Sequence, residues 1–578
     1  MKMAVKTSHF FDIMKTIWKW GRPTMSYIKK YQFWMQQQNL DPTLLAELIR
    51  LDEKEIQEVF HSDLTFGTGG LRGLMGAGTN RVNVYTIRKA TLGFARYIKR
   101  AKLTGGVAIS YDNRHHSKQF AKEAAMVLAA EGIASYVFDE LRPTPMLSFA
   151  VRHFHCAGGI MITASHNPKE YNGYKVYDPT GSQVNLVTAE HIIRFIDLVD
   201  NPFEIDVVDN DLIHTIDANF DEIYLHHVEK IALNPKTPKI KIVYSPLHGT
   251  GGTVIPKLLK KVGYELYPYE PQMIIDPNFS HTKSSNPEEK DAYIETIKYA
   301  KEVGADLILV TDPDADRLGV AVKHQGEYHL LSGNQTAAVE LYYILAELRK
   351  QGKLTPEGMI YKTIVTTDLI DQIAKAFDVE VTSTLTGFKF IGEKAEQNLK
   401  KHPYIFGCEE SYGSLISDFV RDKDAVQAVF MLAEIANTLS YYKKTLVDYL
   451  HNIYQIYGYF YEYTKSITLP GLEGLQKISI IMNHFRLNPP IVEGKALLKY
   501  DDLSKGYTYQ NGRAQKIDLP LSDVLKYYYE DQTWIVLRPS GTEPKIKIYF
   551  QTAGKTMEDA KHVIDRLVDK LTETISRL

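Results

Sequence analysis

Ser165 lies in the segment TASHNPKEYNGYK, residues 163–175, directly after an apolar run and beside His166. A serine in such a turn can act as a nucleophile, and Lys175 follows ten residues later as a basic partner. The plainer interpretation is an ordinary turn in which the hydroxyl caps the next element. No G-x-S-x-G pattern surrounds Ser165, so an acyl-transfer hydrolase is not indicated.

Carboxylates alternate along the segment DPDADR, at Asp312, Asp314 and Asp316, with Arg317 next to the last of them. Oxygen-rich loops of this kind surround hard cations such as Mg²⁺. An EF-hand is excluded because Arg317 and Lys323 stand where that loop needs glycine and glutamate. A solvated acidic turn is the alternative, but three like charges at the end of a buried strand are costly without a cation. The segment therefore predicts a metal site.

A phosphate-binding loop is predicted in LRPSGTEPK, residues 537–545. A guanidinium, hydroxyls and the N–H groups of a turn together bind phosphate, and the residues that would supply them are Arg538, Ser540, Gly541 and Thr542. An ordinary turn with a charged rim is the alternative. The position of the segment after an apolar strand favours the phosphate site.

Two further polar segments complete the set. In GCEESYG, Glu409 and Glu410 precede Ser411 and would act as acid and base or accept hydrogen bonds from sugar hydroxyls; a surface turn is the alternative. The glycine-rich segment FGTGGLRGLMGAG, residues 66–78, would bring its backbone and Arg72 close to an anion, unless it is only a flexible loop. It contains neither G-x-G-x-x-G nor a P-loop, which argues against dinucleotides and a kinase using nucleoside triphosphate. Together the segments describe phosphoryl transfer involving a polyol.

The elements that must position these residues follow a β-α-β pattern. The strand GVAISYD, the helix SKQFAKEAAMVLAAEG and the strand ASYVF succeed one another over residues 106–138. Similar strands precede the four polar segments at 158–163, 305–312, 404–407 and 533–537. Open α/β sheets bind ligands beyond the carboxyl ends of their strands, so we expect four loops from separate domains to meet in one cleft.

Bulk properties limit the possible functions. The chain has 578 residues, enough for three to five domains by the usual size of roughly 100–200 residues each. Apolar residues make up 44% and charged residues 24%, as in globular proteins. The formal net charge of -2 gives no overall attraction to nucleic acid or anionic lipid.

Cysteine usage and the ends of the chain are informative as well. The two cysteines, Cys156 and Cys408, provide no disulfide framework and favour a reducing cytoplasmic location. No apolar run approaches the roughly 20 residues that span a bilayer. Residues 1–24, which include FFDIMKTIWKW, lack the pattern of a secretory signal and are interpreted as an N-terminal extension ahead of Met25.

The segments TASHNP, DPDADR, GCEESYG and RPSGTEP, in this order, resemble the four active-site loops of the α-D-phosphohexomutase superfamily. The resemblance covers the chain from about Met25 to its end. It implies three α/β domains with mixed sheets and a C-terminal α+β domain around a central cleft. With boundaries near polar stretches of the sequence, the expected domains are 25–210, 211–325, 326–460 and 461–578.

The resemblance also implies roles for individual residues. Ser165 would carry the phosphoryl group, beside His166, and would share a Mg²⁺ ion with Asp312, Asp314 and Asp316. Arg72 and Lys175 match basic residues near the reacting phosphate. The substrate would be held by Arg317, Lys389, Glu409, Ser411, Arg538, Ser540, Gly541 and Thr542.

Among members of the superfamily, the EES sequence at 409–411 is similar to the glucose-type loop. The resemblance therefore implies exchange of phosphate between positions 1 and 6 of glucose, with glucose 1,6-bisphosphate as intermediate and activator. Mannose, pentose and sugar-bisphosphate-forming relatives share much of this architecture, and a non-catalytic sugar-phosphate binding protein is a further alternative. The expected partners are small hexose phosphates rather than nucleic acid or membrane, and the expected state is a monomer or weak homo-oligomer.

Overall fold

The computed structural model describes residues 25–67, 69–469, 471–540 and 545–578. The predicted N-terminal extension, residues 1–24, lies outside the described residues, as do Gly541 and Thr542 of the predicted phosphate loop. In the described ranges, no helix combines the length and the apolar character needed to cross a membrane.

The first sheet contains six strands. They are β1 Gly70–Leu74, β2 Val107–Tyr111, β3 Ser135–Phe138, β4 Gly158–Ile162, β5 Tyr171–Tyr177 and β6 Ile213–Ile216. Their order is β1-β5-β4-β2-β3-β6, with β2, β3, β4 and β6 parallel and with β1 and β5 at an antiparallel edge. The accompanying helices are α1 Tyr27–Met35, α2 Pro42–Leu48, α3 Glu53–Phe60, α4 Val84–Ala101, α5 Ser117–Ala130, α6 Thr144–His153 and α7 Leu186–Asp197.

The second sheet contains five strands in the order β11-β10-β9-β7-β8. These are β7 Lys241–Ser245, β8 Glu265–Pro268, β9 Leu307–Thr311, β10 Leu318–His324 and β11 Glu327–Leu331. The helices are α8 Asn219–Glu229, α9 Ile255–Val262, α10 Glu270–Met273 and α11 Ile294–Val303. Every residue of the central strand β9, LILVT, is buried, as is usual where both faces of a sheet are covered.

The third sheet contains four strands in the order β13-β12-β14-β15, of which only β15 is antiparallel to its neighbour. These are β12 Met359–Thr363, β13 Glu380–Thr384, β14 Tyr404–Glu409 and β15 Gly413–Leu415. The helices are α12 Gly333–Lys350, α13 Leu369–Ala376, α14 Phe388–Asn398, α15 Ala425–Ser440 and α16 Leu446–Tyr457. Helix α12 begins with a capping box, in which the side chains of Ser332 and Gln335 accept each other's backbone N–H groups.

The fourth sheet contains seven antiparallel strands in the order β16-β22-β21-β20-β17-β18-β19. They are β16 Tyr459–Thr468, β17 Leu497–Asp502, β18 Tyr507–Gln510, β19 Arg513–Lys516, β20 Leu525–Tyr529, β21 Trp534–Pro539 and β22 Lys545–Gly554. Its helices are α17 Gly471–Leu487 and α18 Met557–Arg577. The fold class is thus confirmed: three α/β units with mixed sheets are followed by a C-terminal sheet-rich domain.

Two edge strands are the last strands of their sheets in the sequence and follow the polar stretches used to predict the domain boundaries. Strand β6 lies after residue 210 but belongs to the first sheet, and β11 lies after residue 325 but belongs to the second. Each is an edge strand that pairs on one side only, which gives a weak sequence signal compared with a buried central strand. The domain limits themselves stay predictions.

The apolar core is continuous across the first three sheets. One cluster of buried side chains includes Met161 of β4, Leu309 of β9 and Phe406 of β14. The strands that precede the serine, acid and glutamate segments therefore share one rigid core, which fixes their carboxyl ends relative to one another.

The fourth domain joins the third through a polar contact around Asp368. Its carboxylate accepts hydrogen bonds from Lys362 Nζ at 2.8 Å, Trp534 Nε1 at 3.0 Å and Gln551 Nε2 at 3.1 Å. Nearby, Lys526 Nζ donates to the carbonyl of Ile364 at 2.7 Å. Hydrogen bonds to a charged group are directional, so this contact sets the orientation of the last domain.

Candidate functional site

Ser165 follows strand β4 in a strained turn. Its φ is 53°, a left-handed conformation that is uncommon for a residue with a side chain, and it is only 3% exposed. The Ser165 N–H donates to Thr163 Oγ1 at 2.7 Å, while its Oγ donates to Asp312 Oδ2 at 2.9 Å and lies 3.1 Å from His166 Nδ1. The turn therefore directs the hydroxyl at the acid segment of the second domain.

Arg114 holds this turn in place, a role that sequence reasoning missed. Its guanidinium donates to four backbone carbonyls of the serine segment, those of Ser165, Asn167, Pro168 and Tyr171. Its Nε pairs with Asp112 Oδ2 at 3.2 Å, and both side chains are fully buried. The available signal was the polar sequence YDNR at the end of β2, the same context as the segments that were recognised.

The predicted metal ligands meet at the end of β9. Asp312, Asp314 and Asp316 are 0–1% exposed, and one oxygen of each lies within 4.8 Å of the others. Ala315 adopts φ 51°, and Asp312 Oδ1 accepts the N–H groups of Asp316 at 3.1 Å and Arg317 at 3.0 Å. Among the described residues, the Oδ1 atoms of Asp314 and Asp316 have no hydrogen-bond partner. Such buried, unsatisfied carboxylate oxygens fit a hard divalent cation.

The pKa values of the three carboxyls shift in different directions because their neighbours differ. Burial and the like charges of Asp314 and Asp316 raise the pKa of Asp312 well above its usual range. Burial also opposes ionisation of Asp314, but the Lys175 ammonium, 2.8 Å from its Oδ2, lowers the pKa of that carboxyl below its usual value. Lys175 also lies 3.3 Å from Asp316 Oδ2, and despite its burial these two carboxylates raise its pKa, so it stays charged.

A second cation, Lys423, reaches the acid segment from the third domain and was not predicted. Its Nζ lies 2.8 Å from Asp316 Oδ2. The preceding residue, Asp422, accepts a hydrogen bond from Tyr177 of β5 at 2.8 Å, which ties this segment to the first domain. No motif marks Lys423; the only hint is a lysine between two aspartates in DKD, residues 422–424.

His166 and Arg72, which were predicted near the serine, lie around the same point, as does Arg317, which was predicted to bind the substrate. Burial, followed by the charges of Arg317 and Arg72, lowers the pKa of His166 well below its usual value, so its ring is neutral. Arg72 Nη1 donates to Asn167 Oδ1 at 3.0 Å. Arg317 pairs with Glu288 at 2.5 Å and its Nε lies 3.8 Å from Asp316 Oδ1.

The predicted sugar loop begins at Glu409, the last residue of β14. Glu409 is 4% exposed and accepts a hydrogen bond from Ser411 Oγ at 3.0 Å. Burial raises the pKa of Glu409, whereas the charges of Lys423 and Arg317 act in the opposite direction. Because both cations also lie near Asp316, Glu409 lies beside the acid segment. The loop carbonyl of Tyr412 accepts the N–H of Leu318 at 3.0 Å, which joins it to the second domain.

A second basic cluster lies between the third and fourth domains. Lys389, at the start of α14, is 9% exposed, and burial together with the nearby Arg538 charge lowers its pKa to about 8. Arg538 Nη1 is 3.5 Å from Tyr549 OH. The Ser540 N–H donates to the Lys545 carbonyl at 2.7 Å across the start of the predicted phosphate loop. Two positive groups brought together across a domain boundary are suited to an anion.

Comparisons with known proteins agree with this architecture. The phosphoglucomutase/phosphomannomutase family descriptions match in order: α/β/α domain I at residues 63–202, domain II at 222–326, domain III at 332–457 and the C-terminal domain at 498–570. A phosphoglucomutase of Staphylococcus aureus strain MRSA252 is 40% identical over 524 residues, covering 89% of this chain and 94% of the relative.

Solved structures show the same fold at low identity. The open form of pp63/parafusin, a phosphoglucomutase from Paramecium, has a TM-score of 0.67 at 18% identity and covers 89% of this chain and 95% of its own. An N-acetylphosphoglucosamine mutase of Aspergillus fumigatus, solved with GlcNAc-6P and magnesium, has a TM-score of 0.52 at 14% identity, covering 93% of this chain and 99% of its own.

Four domains, with a serine, an acid cluster and basic groups meeting between them, define a phosphoryl-transferring isomerase. The match of all four domains and the 40% identity show that the chain belongs to the phosphoglucomutase/phosphomannomutase family.

Arg114→Ala should weaken the serine turn and leave Asp112 as a buried, unpaired charge. Breaking a buried ion pair from one side typically costs about 3–5 kcal/mol, so we expect a clear fall in the thermal unfolding temperature. Arg100→Ala, at an exposed position of α4, is the matched control and should change little. Equal unfolding temperatures for both variants and the parent would show that Arg114 does not support the turn.

Proposed function

We propose that this enzyme interconverts α-D-glucose 1-phosphate and glucose 6-phosphate, with a phosphorylated Ser165 and a bound glucose 1,6-bisphosphate as intermediates. The observation that carries the proposal is the 2.9 Å hydrogen bond from Ser165 Oγ to Asp312, in a buried cluster of three carboxylates that retains unsatisfied oxygens. The S. aureus phosphoglucomutase, 40% identical over most of the chain, supports glucose as the sugar.

A divalent cation, with Mg²⁺ as the candidate, would be held by Asp312, Asp314, Asp316 and the Ser165 phosphate. When bound, such an ion offsets charge on the transferring group. Carboxylate oxygens are the ligands that hard cations prefer, and two of those in this cluster have no hydrogen-bond partner in the described part of the chain. The A. fumigatus mutase was itself solved with magnesium.

The transfer balances as an exchange of a phosphoryl group for a proton. The P–O bond to Ser165 breaks as the free sugar hydroxyl forms a P–O bond, the hydroxyl loses its proton, and the Ser165 oxygen gains one. We assign this exchange to Lys175, whose ammonium would donate to the departing Ser165 oxygen and then take the proton of the sugar. The bisphosphate then reverses its orientation in the cleft, and its other phosphoryl group is transferred to Ser165 by the reverse steps.

The remaining residues would hold the sugar phosphate in both orientations. Glu409 and Ser411 would accept and donate hydrogen bonds to sugar hydroxyls. Lys389, Arg538 and the loop of Ser540, Gly541 and Thr542 would bind the phosphate that is not being transferred, and Arg72, His166 and Arg317 would surround the one that is.

Phosphate should be found on Ser165 in the active protein. Peptide mass analysis checks this directly, and Ser165→Ala should reduce turnover by roughly a thousandfold or more because no covalent intermediate can form. Near-normal turnover of the alanine variant would refute the phosphoserine mechanism, whichever sugar is used.

Chelation should abolish activity, and Mg²⁺ should restore it. Asp314→Asn should require a higher Mg²⁺ concentration for half-maximal activity, because an amide lacks the charge of the carboxylate. Asp378→Asn is the control, since that side chain is 92% exposed on the third domain. Full activity of the parent enzyme in excess chelator would contradict a metal at this cluster.

Binding of the sugar phosphate should weaken above about pH 8 in a way that depends on Lys389. Burial and Arg538 lower its pKa to about 8, so the ammonium is present below that pH and is lost as the pH rises. Losing one charge-assisted hydrogen bond raises KM by roughly tenfold. Lys389→Arg keeps its charge, so KM should depend less on pH in this variant than in the parent. Lys394→Ala, on the same helix, should leave the pH dependence of KM unchanged. Identical profiles for the parent and Lys389→Arg would exclude this role.

Glucose 1-phosphate should be preferred to mannose 1-phosphate. The two differ in the direction of the hydroxyl at carbon 2, and a misdirected hydroxyl leaves a buried acceptor such as Glu409 unsatisfied. That costs about 1–3 kcal/mol, a preference of roughly ten- to a hundredfold in kcat/KM. Glu409→Gln should lower activity with both sugar phosphates and reduce the difference between their kcat/KM values. Equal efficiency, or preference for mannose or ribose 1-phosphate, would identify one of the related mutases instead, and accumulation of a bisphosphate would identify a synthase.

A further inference from the structure

A small cavity lies between the sugar loop and helix α12. It measures about 10 Å³ and is lined mainly by helix α12, the end of the loop and the start of β10, through residues such as Thr336, Glu340, Tyr412, Ser414 and Leu318. A cavity of this size holds about one water molecule if polar groups line it. Glu340 is the one carboxylic acid among the described residues that line it.

Glu340 is completely buried, and neither of its carboxyl oxygens makes a hydrogen bond to any residue that the structure describes. Burial raises its pKa to about 8, and only the nearby Ser414 hydroxyl acts in the opposite direction. No cationic side chain is present among the described residues that line the cavity. An unpaired buried carboxylate is costly, so the group is held as a neutral carboxylic acid, which can both donate and accept a hydrogen bond.

The surroundings connect Glu340 to the position of the sugar loop. In β15, Gly413 and Ser414 point to opposite faces of the strand. A Cβ at Gly413 would lie 3.0 Å from Glu409 Oε1 and 2.4 Å from the Lys423 side chain, so this face borders the site. Ser414, on the other face, lines the Glu340 cavity, and the adjacent Gly413 contributes to the same lining. A shift of Ser414 toward or away from α12 would therefore move Gly413 against Glu409 and Lys423.

The loop is already fitted closely to the start of α12. A Cβ at Gly333 would lie 2.3 Å from the Glu410 carbonyl and 2.5 Å from the Tyr412 N, so only glycine permits this approach. Tyr412 itself adopts φ 64°, a strained conformation that its neighbours must maintain. Glu340 lies about two helical turns beyond Gly333 on the same face of α12, and it lines a cavity together with Tyr412 and Ser414.

We infer that Glu340 is a positioning residue for the sugar loop, acting as a neutral acid that joins Ser414 to helix α12 through one internal water molecule. It touches neither substrate nor reacting atoms. Its role rests on the proposed function only in that the loop 409–414 binds the sugar; its effect on the loop itself does not depend on which sugar is bound.

The test is amide hydrogen exchange of residues 409–415 in the full chain without substrate. In Glu340→Ala these amides should exchange roughly tenfold faster, as expected for the loss of one buried hydrogen-bonding group. Glu340→Gln keeps a neutral donor and acceptor of the same shape and should restore parental exchange. Glu434→Ala, which removes a buried carboxyl on α15 that bonds to Leu233 and Tyr343, is the control and should leave the loop unchanged.

Kinetics supply a second readout. Glu340→Ala should raise KM for the preferred sugar phosphate by about tenfold with a smaller change in kcat, and Glu340→Gln should keep both parental values. If Glu340→Ala does not fold, Ser414→Ala removes the partner from the other side and should also speed exchange of 409–415. Parental exchange in Glu340→Ala, or loosening in Glu340→Gln equal to that in Glu340→Ala, would overturn the inference. Failure of glucose as substrate would leave the exchange result intact.

Discussion

The mutual repulsion of three buried aspartates is the constraint on which the rest of the structure depends. Asp312, Asp314 and Asp316 lie close together with almost no exposure to water, an arrangement that is unfavourable unless positive groups surround it. The chain supplies Lys175 from the first domain and Lys423 from the third. The need to neutralise one loop therefore explains why three separate sheets must share a continuous core.

The strain at Ser165 belongs to the same scheme. A left-handed serine points its hydroxyl at Asp312, and Arg114 holds the turn through the carbonyls around it. The charged lysines and the neutral His166 then have different tasks, because the environment that keeps lysines protonated beside carboxylates also keeps an imidazole uncharged beside arginines. In the same site, Lys175 is therefore protonated and His166 is neutral.

Much of this could be predicted from the sequence. Ser165 and the DPDADR segment follow fully buried strands, and strong apolar runs with polar ends are a local signal. Lys423 was missed because its function arises from tertiary contacts with residues far along the chain, and an isolated lysine looks like any surface cation. Arg114 follows a buried strand in a polar segment, but its contacts with the serine turn are tertiary and leave no further local pattern. Edge strands β6 and β11 extend their sheets beyond the points where composition changes, since pairing on one side leaves little trace in the sequence.

Lys423 also affects the order in which the site assembles during synthesis of the chain. A ribosome releases the chain from the N-terminus, so the aspartates and Lys175 emerge well before residue 423. Until the third domain folds, Asp316 lacks the cation that lies 2.8 Å away in the finished protein and is paired less closely, with Lys175 at 3.3 Å. The first two domains alone would thus form a cluster that is electrostatically incomplete, and its closure by Lys423 couples folding of the third domain to assembly of the site.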